Sequence, residues 1–195
     1  MNILVIGATG TIGRAVVEAL GGHDVIGVTR STSPSVDITK SATIAALFQS
    51  VGPVDHVVCC AGGGAWKPLA DLTDEDFAAS LGYKLMGQVN VIRHALRSVR
   101  DRGSITVTSG VLARSPMTGS GAISLVNAGL EGFVRAAANE APRGIRVNVV
   151  SPPWVTETLT ARKMDTSIGL PAATVAKAYV ASVNGTQTGA TIEPA

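Results

Sequence analysis

Short runs of β-branched residues alternate along this chain with longer stretches in which apolar residues recur every three or four positions. The runs 3–6 (Ile-Leu-Val-Ile), 25–29, 54–60, 104–108, 145–150 and 190–192 predict strands. Between them, Ile12, Val16, Val17 and Leu20 predict a helix over 12–20, and Ile44, Leu47, Phe48 and Val51 one over 39–51. Further helices are predicted over 120–141 and 171–183. Thr73 with Asp76 three residues on predicts a helix cap, and Leu72 and Phe77 can staple it. In the long helix that follows, Leu85, Val89, Ile92, Leu96 and Val99 form one continuous stripe. Strands alternating with helices predict an α/β fold, a doubly wound parallel sheet with helices on both faces. Ligands of such sheets bind beyond the carboxyl ends of the strands, so the segments after each strand are the ones to examine.

Composition narrows the picture. The chain has 195 residues, enough for one domain over 1–195. It is 46% hydrophobic and only 15% charged, against about 25% charged in typical domains. A well-buried core is expected, with apolar surface left for an oligomer. A net charge of +2 gives no reason to expect a nucleic-acid partner. No apolar run reaches membrane-spanning length, and the start at Met1 has no signal-peptide pattern. Cys59 and Cys60 are adjacent and cannot staple a fold, so a cytoplasmic location is expected. His23, His56 and His94 are isolated, and no metal site is expected. No Gly-x-Ser-x-Gly elbow is present, which speaks against a hydrolase of that type.

The candidate chemistry starts at Gly7-Ala8-Thr9-Gly10-Thr11-Ile12-Gly13, which links the first strand directly to a helix. Gly7 permits a tight turn, Gly10 lets a phosphate approach the backbone, and Gly13 allows the helix to pack on the strand. The free amides at the helix start then bind a pyrophosphate. The second strand ends in Arg30 and Ser31, where a dinucleotide fold faces the adenosine ribose. A carboxylate there would repel a 2′-phosphate; an arginine and a hydroxyl suit the phosphate of NADP, so NADP(H) is expected over NAD(H).

With these motifs the chain resembles the short-chain dehydrogenase/reductase family nearly end to end. Asp37-Ile38-Thr39 resembles the family's segment at the adenine ring. Cys59-Cys60-Ala61-Gly62 stands where the family has Asn-Asn-Ala-Gly. The segment 148–155, with Pro152 and Val155, resembles the one that holds the nicotinamide carboxamide. The resemblance implies a Rossmann-like fold with two departures. Only five residues separate the second strand from Ser35, too few for a parallel crossover, so one crossover helix is missing there and any following strand is vestigial. Twelve residues between Thr158 and Pro171 leave room only for a small lid over an open pocket.

The same resemblance shows the usual catalytic positions changed. In the family a serine orients the substrate carbonyl, a tyrosine exchanges the proton, a lysine four residues later lowers its pKa, and an asparagine on the long helix holds a relay water. Aligned on both sides, these positions are Gly110, Ile123, Asn127 and Lys84. Independently of alignment, the two tyrosines, Tyr83 and Tyr179, are followed four residues later by Gly87 and Val183, so no Tyr-x-x-x-Lys pair exists. The chain resembles a divergent short subgroup lacking the Ser-Tyr-Lys residues. Lys84 has two readings: a positive charge or proton near the nicotinamide, or a structural lysine reaching solvent or strand-end carbonyls. Ser109 either bonds a ligand or satisfies backbone at the strand end. Asn127 can bond the nicotinamide ribose in place of lysine, and Trp154, Trp66 and Lys67 lie on loops beside the pocket.

Three functions stay open: an NADP-dependent reductase of a small carbonyl with Lys84 or water as proton donor, a non-redox enzyme using the same pocket, and a non-catalytic NADP-binding sensor or partner. The resemblance also implies a homodimer or homotetramer through helices 83–100 and 120–141, which the 85–99 stripe and small residues such as Ala128, Gly129 and Gly132 would suit.

Overall fold

Period-two alternation divides the strand side chains between two cores. In the computed structural model, which describes residues 1–195, Leu4 and Ile6 point to one face of the sheet with Val57, Cys59, Ile105 and Val107. Ile3 and Val5 point to the other with Val58 and Val150. The strands are β1 (Asn2–Ile6), β2 (Asp24–Val28), β3 (Val54–Cys59), β4 (Val99–Thr108), β5 (Arg146–Val150) and β6 (Thr191–Ile192). They form one six-stranded sheet in the order β2-β1-β3-β4-β5-β6, with every pair parallel. Helices α2 (Ser41–Val51), α4 (Gly87–Ser98) and α5 (Gly121–Glu140) cover the first face. Helices α1 (Thr11–Ala19) and α7 (Ala172–Asn184) cover the second. This is the Rossmann-like fold that the alternation of strands and helices predicts.

No helix lies between β2 and α2, so the shortened crossover is as expected. The chain instead folds back, with the Val36 amide donating to Thr29 O at 2.9 Å. Val36 and Ile38 are buried against the first core. The Thr73 cap is a reciprocal capping box with Asp76 at the start of α3 (Asp74–Ser80).

Three features depart from the sequence reading. The long helix is not regular: a π-helical segment, Leu81–Met86, joins α3 to α4. Its wider turn resets which side chains face the sheet, and such segments concentrate at functional sites. The 85–99 stripe is spent inside the subunit, where Val89, Ile92 and Val99 belong to the first core and Leu85 packs against it. Leu85 and Leu96 of the same stripe stay partly exposed. Finally, a short helix, α6 (Thr156–Ala161), forms the lid segment after β5.

The second face of β4 is polar. Ser104, Thr106 and Thr108 alternate with apolar residues and bond His56, Ser182 and Tyr179 at 2.8, 2.8 and 2.7 Å. Burial holds the His56 imidazole well below its usual range, at about 4, so it stays neutral in this network. No helix is long and apolar enough to cross a membrane.

Candidate functional site

The site begins at the carboxyl end of β1. Gly7 turns the chain at a φ of +85°, a conformation open to glycine, and its amide donates to Val28 O at 2.8 Å. Gly13 lies so close to the loop that a Cβ there would sit 2.0 Å from Gly7 O. Helix α1 thus starts tight against the strand, and no side chain caps it. Its first amides are free to meet an anion. Arg14 reaches back from the first turn to hold Thr9 O at 2.8 Å, a brace the glycine motif does not announce.

A cavity of about 410 Å³ runs along this loop. Its walls include Gly7, Thr9, Gly10, Thr11 and Ile12 on one side and Cys60, Ala61 and Gly62 on the other. Arg30, Val36 and Ile38 close the end beyond β2. Ser31 and Asp37 do not reach it. The Ser31 hydroxyl is held by Thr29 Oγ1 at 3.2 Å, and the Asp37 carboxylate closes its own turn on the Thr39 amide and hydroxyl at 3.1 and 2.8 Å. Those hydrogen bonds also draw the Asp37 carboxyl below its usual range. Local turn chemistry engages both side chains, and Arg30 is the charged group at this end, beside Thr29. Tyr83, presented by the π segment, also lines the cavity, which nothing in its sequence position signals.

A second cavity of about 190 Å³ adjoins the first, sharing Ile12, Cys60, Gly62 and Thr158 as walls. Lys84, Ser109, Gly110, Ile123, Asn127, Pro152, Trp154 and Val155 all line it. Lys84 is the only charged side chain on its wall. The lysine is buried, 8% exposed, and its ammonium donates to Ser109 O at 3.0 Å. Burial brings its pKa down from the ordinary lysine range to about 8. The nearby Cys59 thiol is pushed up to about 12 by burial and carries no charge near neutrality. Lys84 thus bonds a strand-end carbonyl, as its structural reading expects, and also lines the cavity.

Ser109 is otherwise engaged than expected. Its hydroxyl donates to the buried Glu131 carboxylate at 2.8 Å, so only its backbone is turned to the site. Glu131 pairs with Arg114 at 2.7 Å, and Arg114 continues to Glu193 at 2.7 Å and the Ser151 hydroxyl at 3.1 Å. This network escaped the sequence reading because its members lie on four separate segments. Asn127 donates to Gly110 O at 3.3 Å while its buried Oδ1 has no protein partner. A Cβ on Gly110 would press to 3.0 Å from the Asn127 amide nitrogen. Gln88, one turn after Lys84, clamps the end of β4 by accepting from the Thr108 amide at 2.7 Å and donating to Thr108 O at 2.8 Å. Trp66 packs edge-on to Trp154 with ring centroids 5.3 Å apart, and Lys67 is drawn away to Asp76 at 2.7 Å.

The residues present fit a dinucleotide. The glycine cradle leaves uncapped helix amides for a pyrophosphate, Arg30 closes one end, and Asn127 Oδ1 is an orphaned acceptor at the other. Fold and cradle together define a Rossmann-like protein with its ligand cleft at the strand carboxyl ends.

The comparisons agree. A family model described as enoyl-(acyl carrier protein) reductase matches residues 12–189. Carbonyl reductase family member 4 of Danio rerio is 30% identical over 182 residues, 81% of this chain and 77% of that protein. A protein of Listeria innocua with a solved structure is 37% identical, with 99% of this chain and 98% of that chain covered and a TM-score of 0.94. A solved small-chain dehydrogenase in complex with NADPH shares the fold at a TM-score of 0.87 and 24% identity, covering 99% of this chain and 95% of its own. The chain belongs to the short-chain dehydrogenase/reductase family. It spans about half the length of the first curated relatives it matches, 48%, 56% and 55%.

Proposed function

We propose that this chain is an NADP(H)-preferring oxidoreductase acting on a small carbonyl or alcohol, with a proton donor other than tyrosine. The observation that carries this reading is the adjacency of two cavities with four wall residues in common, one lined by the glycine cradle and Arg30, the other by Lys84 and Asn127. The NADPH complex of a protein of the same fold supports the cofactor assignment. A bound nicotinamide would supply or take the hydride. Around it, the α1 amides would hold the pyrophosphate, Arg30 the 2′-phosphate, and Asn127 Oδ1 would accept from the ribose. Reduction of a carbonyl builds negative charge on oxygen, which must be protonated or bound. Lys84 is the one charged side chain on the inner cavity and can do both. Gly110, Ile123 and Asn127 stand where the family places serine, tyrosine and lysine, which makes this chain a divergent member.

The test is NADPH oxidation against a panel of small aldehydes and ketones, with Lys84→Ala in parallel. Turnover that falls at least tenfold in Lys84→Ala supports the assignment. Tight NADPH binding with no turnover on any compound, and none altered by the substitution, would replace it with the second reading, an NADP-binding protein without hydride transfer. That second reading is favoured by Ile123, an apolar side chain at the position of the proton donor.

We also propose a homodimer through the outer faces of α4 and α5. Met86, immediately before α4, and Leu125 on α5 are 46% and 51% exposed, and Ala128 and Gly129 on α5 are exposed small residues. Light scattering should give about twice the chain mass of 19.8 kDa; a monomer would refute it.

A further inference from the structure

Buried ammonium groups are normally paired with a carboxylate, because an ammonium taken out of water needs both charge and hydrogen-bond partners. Lys84 has neither in full. It is 8% exposed, its one hydrogen bond goes to the neutral Ser109 carbonyl, and it takes part in no salt bridge. The acid behind that carbonyl, Glu131, is committed to the Ser109 hydroxyl and to Arg114. An ammonium offers three donors and finds one acceptor here, whereas a neutral amine needs far less. One N–H on Ser109 O fixes the nitrogen and leaves its lone pair available. The surrounding wall is mostly apolar, with Val111, Leu112, Ile123, Pro153, Trp154 and Val155.

We propose that Lys84 is a nucleophilic amine that captures small, uncharged aldehydes or ketones as imines in the inner cavity. Desolvation in an apolar pocket is a recognised way to activate a lysine for this step. The lone pair of Nζ attacks the carbonyl carbon, forming the C–N bond, and a proton passes from nitrogen to the former carbonyl oxygen. The resulting carbinolamine expels that oxygen as water while the C=N bond forms. No oxidant or reductant is consumed. The ligand is small because the cavity is about 190 Å³, below the usual range for drug-sized ligands. It is uncharged because a carboxylate would hold the ammonium in its protonated form. The proposal rests on the reading of this cavity as a carbonyl site, but not on hydride transfer.

The experiment uses the full chain without any nicotinamide nucleotide. Butanal is added in slight excess at pH 8 with cyanoborohydride, which converts an imine to a stable secondary amine, and the modified lysine is located by peptide mass spectrometry over time. Lys40, Lys67, Lys163 and Lys177 are all exposed and serve as internal controls. At this pH about half of the Lys84 amines are free base, against under about 1% for an unperturbed lysine, so Lys84 should be alkylated at least about tenfold faster. The preference should vanish in denaturant. Labelling of Lys84 no faster than the exposed lysines, or none at all, would overturn the proposal. Either result leaves the NADPH oxidation assay unaffected, so failure of the imine and failure of the oxidoreductase reading are told apart.

Discussion

Ser109 and Glu131 are joined by a buried hydrogen bond of 2.8 Å, from the serine hydroxyl at the end of β4 to a carboxylate on α5. The same serine accepts Lys84 on its carbonyl, so the acid fixes the backbone on which the lysine rests. Arg114 completes the arrangement and carries it to Glu193 near the carboxyl end of the chain.

Glu131→Gln should therefore destabilise the fold. It removes the charge that pairs with Arg114, while Arg114 keeps Glu193 and part of its solvent contact. A loss of about 2 kcal/mol is expected, seen as a melting temperature lower by about 4–8 °C. Glu193→Gln, at the exposed end of the network, should cost under about 1 kcal/mol. Equal effects for the two would mean that the buried end carries no special weight.

Arg30→Ala isolates the cofactor preference. Losing a charge-assisted contact to the 2′-phosphate should weaken NADPH binding about tenfold or more, with NADH changed by less than about twofold. Titration calorimetry or fluorescence reads both affinities. Equal losses for the two nucleotides would remove Arg30 from that role.

Gly13 and Gly10 separate folding from binding within one loop. A Cβ at position 13 would sit 2.0 Å from Gly7 O, whereas at position 10 its nearest contact outside the adjoining residues is Gly7 O at 3.4 Å. Gly13→Ala should cost more than about 3 kcal/mol in stability. Gly10→Ala should stay folded and bind NADPH at least about tenfold more weakly, because the added methyl occupies the approach of the phosphate. Circular dichroism melts and a binding titration on both variants decide this.

Lys84→Met should stabilise the protein at pH 7, because the wild type buries a charge that the variant does not. Below pH 8 the lysine is protonated in both the folded and the unfolded chain. Between pH 8 and about 10.4 the unfolded chain keeps the proton and the folded one has shed it, so wild-type stability rises with pH across that window. The advantage of the variant should shrink by up to about 3 kcal/mol over the same range. The groups facing Lys84 include the Cys59 thiol from β3, neutral up to about pH 12, and the uncharged Ser109, Gln88 and Asn127. Denaturant titrations at pH 7 and pH 10 measure it; a gap independent of pH would mean that Lys84 is not the titrating group.

Much of the architecture was legible in local patterns. The Thr73–Asp76 capping box and the predicted strands and helices lie within a few residues of their observed limits, apart from the earlier start of β4 at Val99. Val99 pairs with Val54 across a register shift, which no local pattern announces. Within the site, the glycine motif marked the walls of the larger cavity because close backbone approach demands glycine at fixed spacing. Side chains whose engagement depends on distant partners were read less well. Ser109, for one, is claimed by an acid 22 residues away.

Periodicity, the cradle Gly7-x-x-Gly10-x-x-Gly13 and the absence of any Tyr-x-x-x-Lys pair were determined by the sequence alone, because each is a matter of residue type at short range. Only the tertiary structure decided what Lys84 became. The π segment places it against the end of β4, burial lowers its pKa, and no neighbouring acid is free to restore it. Those are consequences of desolvation and of which groups the packed helices bring together, and neither is written in any run of adjacent residues.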